Sequence, residues 1–308
     1  MSSNNRIRLV LFDAFDTLLT PRLPIHIQYA QEARRADLDL TEDAIRKGFQ
    51  TAFPALNRRL PLYGVRANPP ITSADWWTFL IRSTLVDAGV PPDHVSKALP
   101  TLAPRLIDRF SSSEGYRSFD DTIPCLTALS QMGVRTGVLS NADDRILMVL
   151  DSLSISPLLS SPPTLNYTSG YSKPDARIFH FAIDQARAGR PLVSSGYEGT
   201  GAGANPHSGW AGVAETDGED TLKDLKPEEV LMVGDELEAD YKGSLEAGLR
   251  SLLIRRPTEP SDGAHRSLPA HESAELERLG LGSDSGVIDS LDGAIDFVRR
   301  WNDPQANA

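Results

Sequence analysis

Residues 7–18 read Ile7-Arg8-Leu9-Val10-Leu11-Phe12-Asp13-Ala14-Phe15-Asp16-Thr17-Leu18, a short apolar run that stops at an acid. A run of this length bounded by polar residues reads as a buried strand of a parallel sheet. Asp13 then projects from the carboxyl end of that strand, where open α/β sheets hold their ligands. A carboxylate so placed can serve as a nucleophile or a metal ligand, or simply as a turn residue. Three further runs repeat the pattern: residues 134–139 precede Ser140, residues 230–233 precede Gly234 and Asp235, and residues 252–254 precede Arg255. Helical periods fill the spaces between, over residues 123–132, closed by Gly133, and over residues 176–186. Strand and helix therefore alternate, which predicts an α/β fold built on a doubly wound, Rossmann-like parallel sheet. In that sheet Asp13, Ser140 and Asp235 converge at one edge.

Between the first two strands lies a long insert, residues 20–118, rich in helical and poor in strand signals. Thr41 is placed to cap a helix with Ile45, Phe49, Phe53, Leu56 and Leu60 on one side. Ser73 is placed to cap another with Trp76, Trp77, Leu80, Ile81 and Leu85, where the paired tryptophans read first as core packing. Pro100 and Pro104 predict a break or a kink in the next helical stretch. The insert reads as a helical cap domain set into a core formed by residues 1–19 and 119–308. Eight of the 23 glycines fall between Gly189 and Gly218, which predicts a mobile surface insert over about residues 189–222, and a similar loop follows at about 257–275. A last strand near residues 286–288 and a helix over residues 293–301 close the chain; no internal repeat is present.

Composition narrows the function. With 308 residues, 40% of them hydrophobic, the chain can bury one large core or two smaller ones. A formal charge of -11 leaves no broad basic surface, so neither nucleic acid nor an anionic membrane is an expected partner. The single cysteine, Cys125, excludes an internal disulfide, and the six histidines make no metal-binding cluster with it. No apolar run reaches the ~18 residues that span a bilayer, and the polar start has no signal-peptide core. The cytoplasm is the expected compartment, with the nucleus or an organelle left open.

Chemistry concentrates in three places beyond Asp13. Leu139-Ser140-Asn141-Ala142 ends a strand with a hydroxyl and exposed backbone amides, suited to a phosphoryl oxygen or to capping the next helix. Lys173-Pro174-Asp175 sets a cation just before a helix, where it can neutralise a phosphate or remain a surface lysine. Gly234-Asp235-Glu236-Leu237-Glu238-Ala239-Asp240 places four carboxylates in a short span after a strand. Beside Asp13 such charges repel unless a hard cation joins them, whereas a solvated acidic helix start accounts for Glu236 and Glu238.

In this order the four features resemble the four motifs of the haloacid dehalogenase-like hydrolase superfamily, across the whole chain apart from its two loops. The Asp-x-x-Asp-Thr-Leu form of the first motif is most similar to the eukaryotic haloacid dehalogenase-like hydrolase domain-containing protein 3 group. The resemblance implies a helical cap after the first strand and Asp13 as a nucleophile that forms an aspartyl-phosphate. It implies Ser140, Asn141 and Lys173 as the phosphoryl-binding set. It also implies a magnesium ion held by Asp13, the backbone carbonyl of Phe15, Asp235 and Asp240, with Glu236 as an alternative to Asp240. One departure matters: the position two residues after the nucleophile, usually a general acid, is Phe15, and Asp16 would have to reach back from the next position to replace it. Loss of acid–base help implies slow turnover, least damaging for acidic leaving groups.

The leading expectation is a magnesium-dependent phosphatase of slow or narrow activity on a small phosphorylated metabolite. The first alternative is a non-catalytic phosphate- and metal-binding regulatory protein. The second is a 2-haloacid dehalogenase, whose halide leaves without a proton, although no halide-cradling arginine stands out among Arg22, Arg34 and Arg35. Substrate identity and oligomeric state lie beyond what the sequence specifies.

Overall fold

The computed structural model describes residues 6–192, 222–256 and 286–303. Both predicted loops, at about 189–222 and 257–275, fall outside these residues, except at the edges of the first. Six parallel strands form one sheet in the order β5-β4-β1-β6-β7-β8, made of β1 (Leu9–Phe12), β4 (Arg135–Ser140), β5 (Thr164–Leu165), β6 (Val230–Gly234), β7 (Arg250–Ile254) and β8 (Val287–Ile288). The expected α/β doubly wound architecture is thus present. Its strands alternate as period two demands: Val10 and Phe12 join one buried cluster, Leu9 and Leu11 the other. Onto the first face pack α5 (Thr122–Gln131), α6 (Arg145–Ser152) and α8 (Leu291–Asn302), through residues such as Leu126, Val149 and Val298. Onto the second packs α7 (Ala176–Ala188), through Ile178, Phe179 and Ile183. Burying both faces explains why the strands read as nearly continuous apolar runs.

β1 is flanked by β4 on one side and β6 on the other, so the chain winds away from it in both directions. The crevice at the end of β1 is the topological switch point of the sheet.

Residues 25–109 form four helices: α1 (Ile25–Arg35), α2 (Glu42–Arg59), α3 (Ser73–Asp87) and α4 (Pro92–Arg109). A short antiparallel pair, β2 (Leu19–Pro21) and β3 (Tyr116–Ser118), joins the two ends of this segment. Three residues are too few to show a period, which is why the pair is not legible in the sequence. Thr41 caps α2 as expected, its hydroxyl accepting from the backbone N–H of Ala44 at 3.2 Å. The cap of α3 is Thr72 and not Ser73: Thr72 and Asp75 exchange bonds in a capping box, and the box requires an acid at the third helical position, which Thr72 has.

Of the break or kink expected at Pro100 and Pro104, the break does not occur: α4 is one helix through both. Each proline is exposed, on the water side of the helix. The cost of an interior proline is lowest there. Trp76 is fully buried in the cap, as expected for core packing, but Trp77 is only half-buried and lines a cavity. No helix among the described residues is long and apolar enough to cross a membrane.

Candidate active site

Asp13 continues the sheet one step beyond β1, its backbone N–H donating to the carbonyl of Val233 at 2.9 Å. That bond fixes the carboxyl at the floor of a crevice of about 290 Å³ lined by Asp13, Phe15, Asp16, Ser140, Asn141, Lys173, Asp235 and Glu236. Residues from four separated parts of the chain therefore meet where the strand ends predicted.

Lys173 is 6% exposed and its ammonium makes three bonds: to Asp13 Oδ1 at 2.6 Å, to Asp240 Oδ1 at 2.6 Å and to the carbonyl of Leu139 at 3.1 Å. Its loop is clamped to the end of β4 by Asn141. The Asn141 amide donates to the carbonyl of Lys173 at 3.1 Å, and the backbone N–H of Lys173 donates to Asn141 Oδ1 at 2.9 Å. The Asn141 side chain is thus committed to holding Lys173. Ser140, the last residue of β4, is buried at the crevice wall.

Carboxylate oxygens of Asp13, Asp235 and Asp240 all lie within 4.8 Å of one another. Asp240 is reached by one wide helical turn, residues Leu237–Lys242, which returns its side chain beneath Gly234. There Asp240 Oδ2 accepts from the backbone N–H of Glu236 at 3.0 Å. Glu238 faces outward and pairs with Lys242 at 2.6 Å, as a solvated helix start would have it, whereas Glu236, though exposed, lines the crevice. Gly234 is needed for the close approach: a Cβ there would lie 2.3 Å from the Asp240 carboxyl carbon. Gly234→Ala is expected to cost about 1–3 kcal/mol by overpacking. It should lower the melting temperature and displace Lys173; a thermal melt unchanged from wild type would contradict this packing.

The charges do not balance. Three carboxylates share one lysine, and burial, then Asp13 and Asp240, push Asp235 up to about 8. Burial likewise raises Asp13, to about 6, although Lys173 pulls it down. Asp13 and Asp240 outweigh the burial of Lys173 and hold its ammonium above the usual lysine range. A crevice with this surplus of negative charge and this oxygen-only donor set fits a hard divalent cation.

The ring of Phe15 packs against Tyr116, with centroids 5.5 Å apart. Asp16 sits in the left-handed region at φ 53°, where a small polar side chain is tolerated. Its carboxyl accepts from Thr20 Oγ1 at 3.0 Å, which ties it to β2. None of Arg22, Arg34 and Arg35 lines the crevice. Arg22 bonds the carbonyl of Ser113, Arg34 pairs with Glu42 and Arg35 pairs with Glu32.

A second buried cation, Arg145, lines the neighbouring cavity and was not among the residues singled out from the sequence. Its Nε donates to Asp143 Oδ1 at 2.8 Å and its Nη2 to Oδ2 at 2.9 Å. The guanidinium lies 3.9 Å from the Trp77 ring centroid, and the Trp77 indole N–H donates to Asp143 at 2.8 Å. The signal was available in Asp143-Asp144-Arg145, directly after the Ser140-Asn141 pair, but it reads as an ordinary polar helix start.

A parallel α/β sheet with a helical insert after its first strand, and an acid–lysine–acid cluster at its switch point, defines a class of hydrolase. The sequence model of that class, described as haloacid dehalogenase-like hydrolase, matches residues 7–248, and the chain belongs to this family. Among curated relatives it is 32% identical to haloacid dehalogenase-like hydrolase domain-containing protein 3 of Danio rerio, over 89% of this chain and 95% of the relative. It is 27% identical to the Bos taurus protein of the same name, over 95% and 96%. Among solved structures, the defluorinating L-2-haloacid dehalogenase Rha0230 superposes with a TM-score of 0.61 at 19% identity, covering 95% of each chain. A magnesium-bound hydrolase of the same superfamily from Bacillus subtilis superposes at 0.51 and 16% identity, covering 95% of this chain and 99% of that one. The structural likenesses bear on the fold.

Proposed function

We propose that the chain is a magnesium-dependent phosphatase that transfers the phosphoryl group of a small phosphorylated molecule to Asp13 and then to water. The observation that carries this reading is the Lys173 ammonium bridging Asp13 and Asp240 within reach of Asp235. Asp13 presents a carboxylate oxygen to phosphorus. Lys173 stabilises the negative charge gathered on the transferring group, and the Ser140 hydroxyl and the backbone N–H of Asn141 contribute donors on the same wall. Asp13, the carbonyl of Phe15, Asp235 and Asp240 would hold magnesium, which when bound offsets phosphate charge and the surplus charge of the carboxylates. No side chain at Phe15 can donate a proton to the leaving oxygen or later activate water. Both halves of the reaction are therefore slow, and the second accumulates the aspartyl-phosphate.

The reading is tested by magnesium-dependent phosphate release from a panel of small monoesters, with halide release from 2-haloacids measured in parallel. Phosphate release supports the phosphatase. Halide release without phosphate release supports a dehalogenase, and neither, with magnesium and phosphate still bound, supports a regulatory binder.

Magnesium affinity should also depend on pH. The carboxylate of Asp235 must be ionised to bind the ion, and its proton leaves at about 8. Below that pH, apparent affinity is expected to fall by about tenfold per pH unit for one competing proton. Stability of the metal-free protein should run the opposite way, because protons that compete with magnesium favour the metal-free fold. Asp235 and Asp13 bind protons more tightly folded than unfolded, where the ordinary value is 3.8. Stability therefore declines as pH rises from about 4 to about 8, the reverse of a paired surface aspartate. Calorimetric titration in buffers of different ionisation enthalpy would count the proton released; zero release at pH 7 would contradict the assignment.

A further inference from the structure

Phe15, Asp16 and Asn141 line two cavities. One is the crevice of Asp13; the other is a separate space of about 330 Å³ between the helical insert and the sheet. Its walls are aromatic: Phe15, Phe49, Phe53, Trp77, Phe110 and Tyr116. Its charged side chains already have partners: Asp143 receives three bonds from Arg145, one of them from the backbone N–H, and one from the Trp77 indole, while Asp16 accepts from Thr20. The Tyr63 hydroxyl donates to the carbonyl of Asn141 at 3.2 Å. A charged or polyhydroxylated group placed here would exchange water for walls that offer it few partners, at a desolvation cost it could not recover. An uncharged ring would displace water from aromatic surface, which is favourable. Asp16, standing where the two spaces meet, disfavours an anionic ring as well.

Resting on the phosphatase reading, we infer that the substrate is an aryl phosphate: its leaving group is an uncharged aromatic ring bearing a phenol-type oxygen, and this cavity holds the ring. The chemistry at Phe15 agrees. As a carboxylate oxygen of Asp13 bonds to phosphorus, the bond from phosphorus to the ester oxygen breaks and its electron pair departs on that oxygen. An alkoxide would need a proton in the same step, whereas a phenolate delocalises the charge into its ring and departs without one. One residue thus removes the acid that an alkyl ester requires and supplies wall to the space that an aryl group fills. A larger, polar cleft of about 690 Å³, carrying Arg66, Asp175 and Arg177, meets the crevice at Asn141 and Glu236 without touching Phe15. A polyol leaving group would belong there.

The test compares kcat/KM of the full chain with magnesium on 1-naphthyl phosphate, phenyl phosphate, glucose 6-phosphate and acetyl phosphate. The two aryl leaving groups are close in acidity, so their ratio reports the cavity and not the missing acid. Naphthyl over phenyl by about tenfold or more is expected from burying the second ring, with both above glucose 6-phosphate. Phe49→Ala, folded by circular dichroism, should bring the naphthyl-to-phenyl ratio down severalfold. If acetyl phosphate is hydrolysed while the two aryl esters are equal, or glucose 6-phosphate is preferred, or Phe49→Ala leaves the ratio in place, the inference is overturned and the phosphatase reading stands. Failure of all four esters, acetyl phosphate included, overturns the phosphatase reading and the inference with it.

Discussion

Phe15→Asp is expected to raise turnover of alkyl phosphates by about 10²- to 10⁴-fold, the usual worth of general acid–base help. The position is favourable: Phe15 lines the crevice two residues beyond Asp13, and its backbone is fixed by the turn that returns the chain to β2. A carboxyl there borders the space between Asp13 and the leaving group. Alkyl esters should gain most and aryl esters least, because the help scales with how badly the leaving oxygen needs a proton. The same variant should empty the phosphoenzyme that the proposed mechanism expects to accumulate in wild type, since hydrolysis of an aspartyl-phosphate needs a base to activate water. Rapid-quench counting of acid-stable protein-bound phosphate measures both changes. The variant also adds a carboxylate beside Asp16 and Asp235 and loses the ring contact with Tyr116, so its metal-free form should melt below wild type. Turnover that stays flat with magnesium bound and the fold intact would show that the slow step lies elsewhere.

Asp13→Asn is expected to abolish phosphoryl transfer, a loss of about 10⁴-fold or more by comparison with other nucleophile removals. The amide oxygen can still accept from Lys173, which also keeps Asp240, so the buried lysine is not stranded. Removing one carboxylate relieves Asp235, whose ionisation Asp13 opposes. At pH 8 without metal, the variant should therefore melt no lower than wild type while binding magnesium more weakly. Loss of activity with preserved or increased stability separates a catalytic role from a structural one. Full activity in this variant would rule out Asp13 as the nucleophile.

The two results bear on each other. If Asp13→Asn silences the protein and Phe15→Asp quickens it, the site is a working phosphatase short of one proton carrier. If both variants bind magnesium and phosphate and neither turns over, the pocket has been retained for binding.

The sequence by itself determined the sheet and the edge at which chemistry gathers. Runs such as residues 9–12 and 230–233 are apolar on both faces, and only a strand covered on both sides by helices satisfies them. The polar residues that end those runs, Asp13, Ser140 and Asp235, were legible as candidates because the parallel sheet brings them to one edge, although each alone also reads as a turn or cap residue. Family membership followed from their order along the chain. Lys173 and Asp240 were legible only through that order, since a lysine before a helix and an acid within an acidic stretch are common on surfaces.

Tertiary structure decided the rest, for reasons that local sequence does not carry. That Asp240 turns inward while Glu238 turns out depends on one wide helical turn and on the missing Cβ of Gly234. That Pro100 and Pro104 leave α4 intact depends on which side of the helix faces water. Trp76 and Trp77 are adjacent and chemically identical, yet one is buried among Leu56, Leu80 and Tyr63 and the other leans on Arg145 at the wall of a cavity. Periodicity assigns side chains to a face of a helix; it cannot say whether that face meets a packed core or an empty space, because the space is bounded by residues far away in the chain.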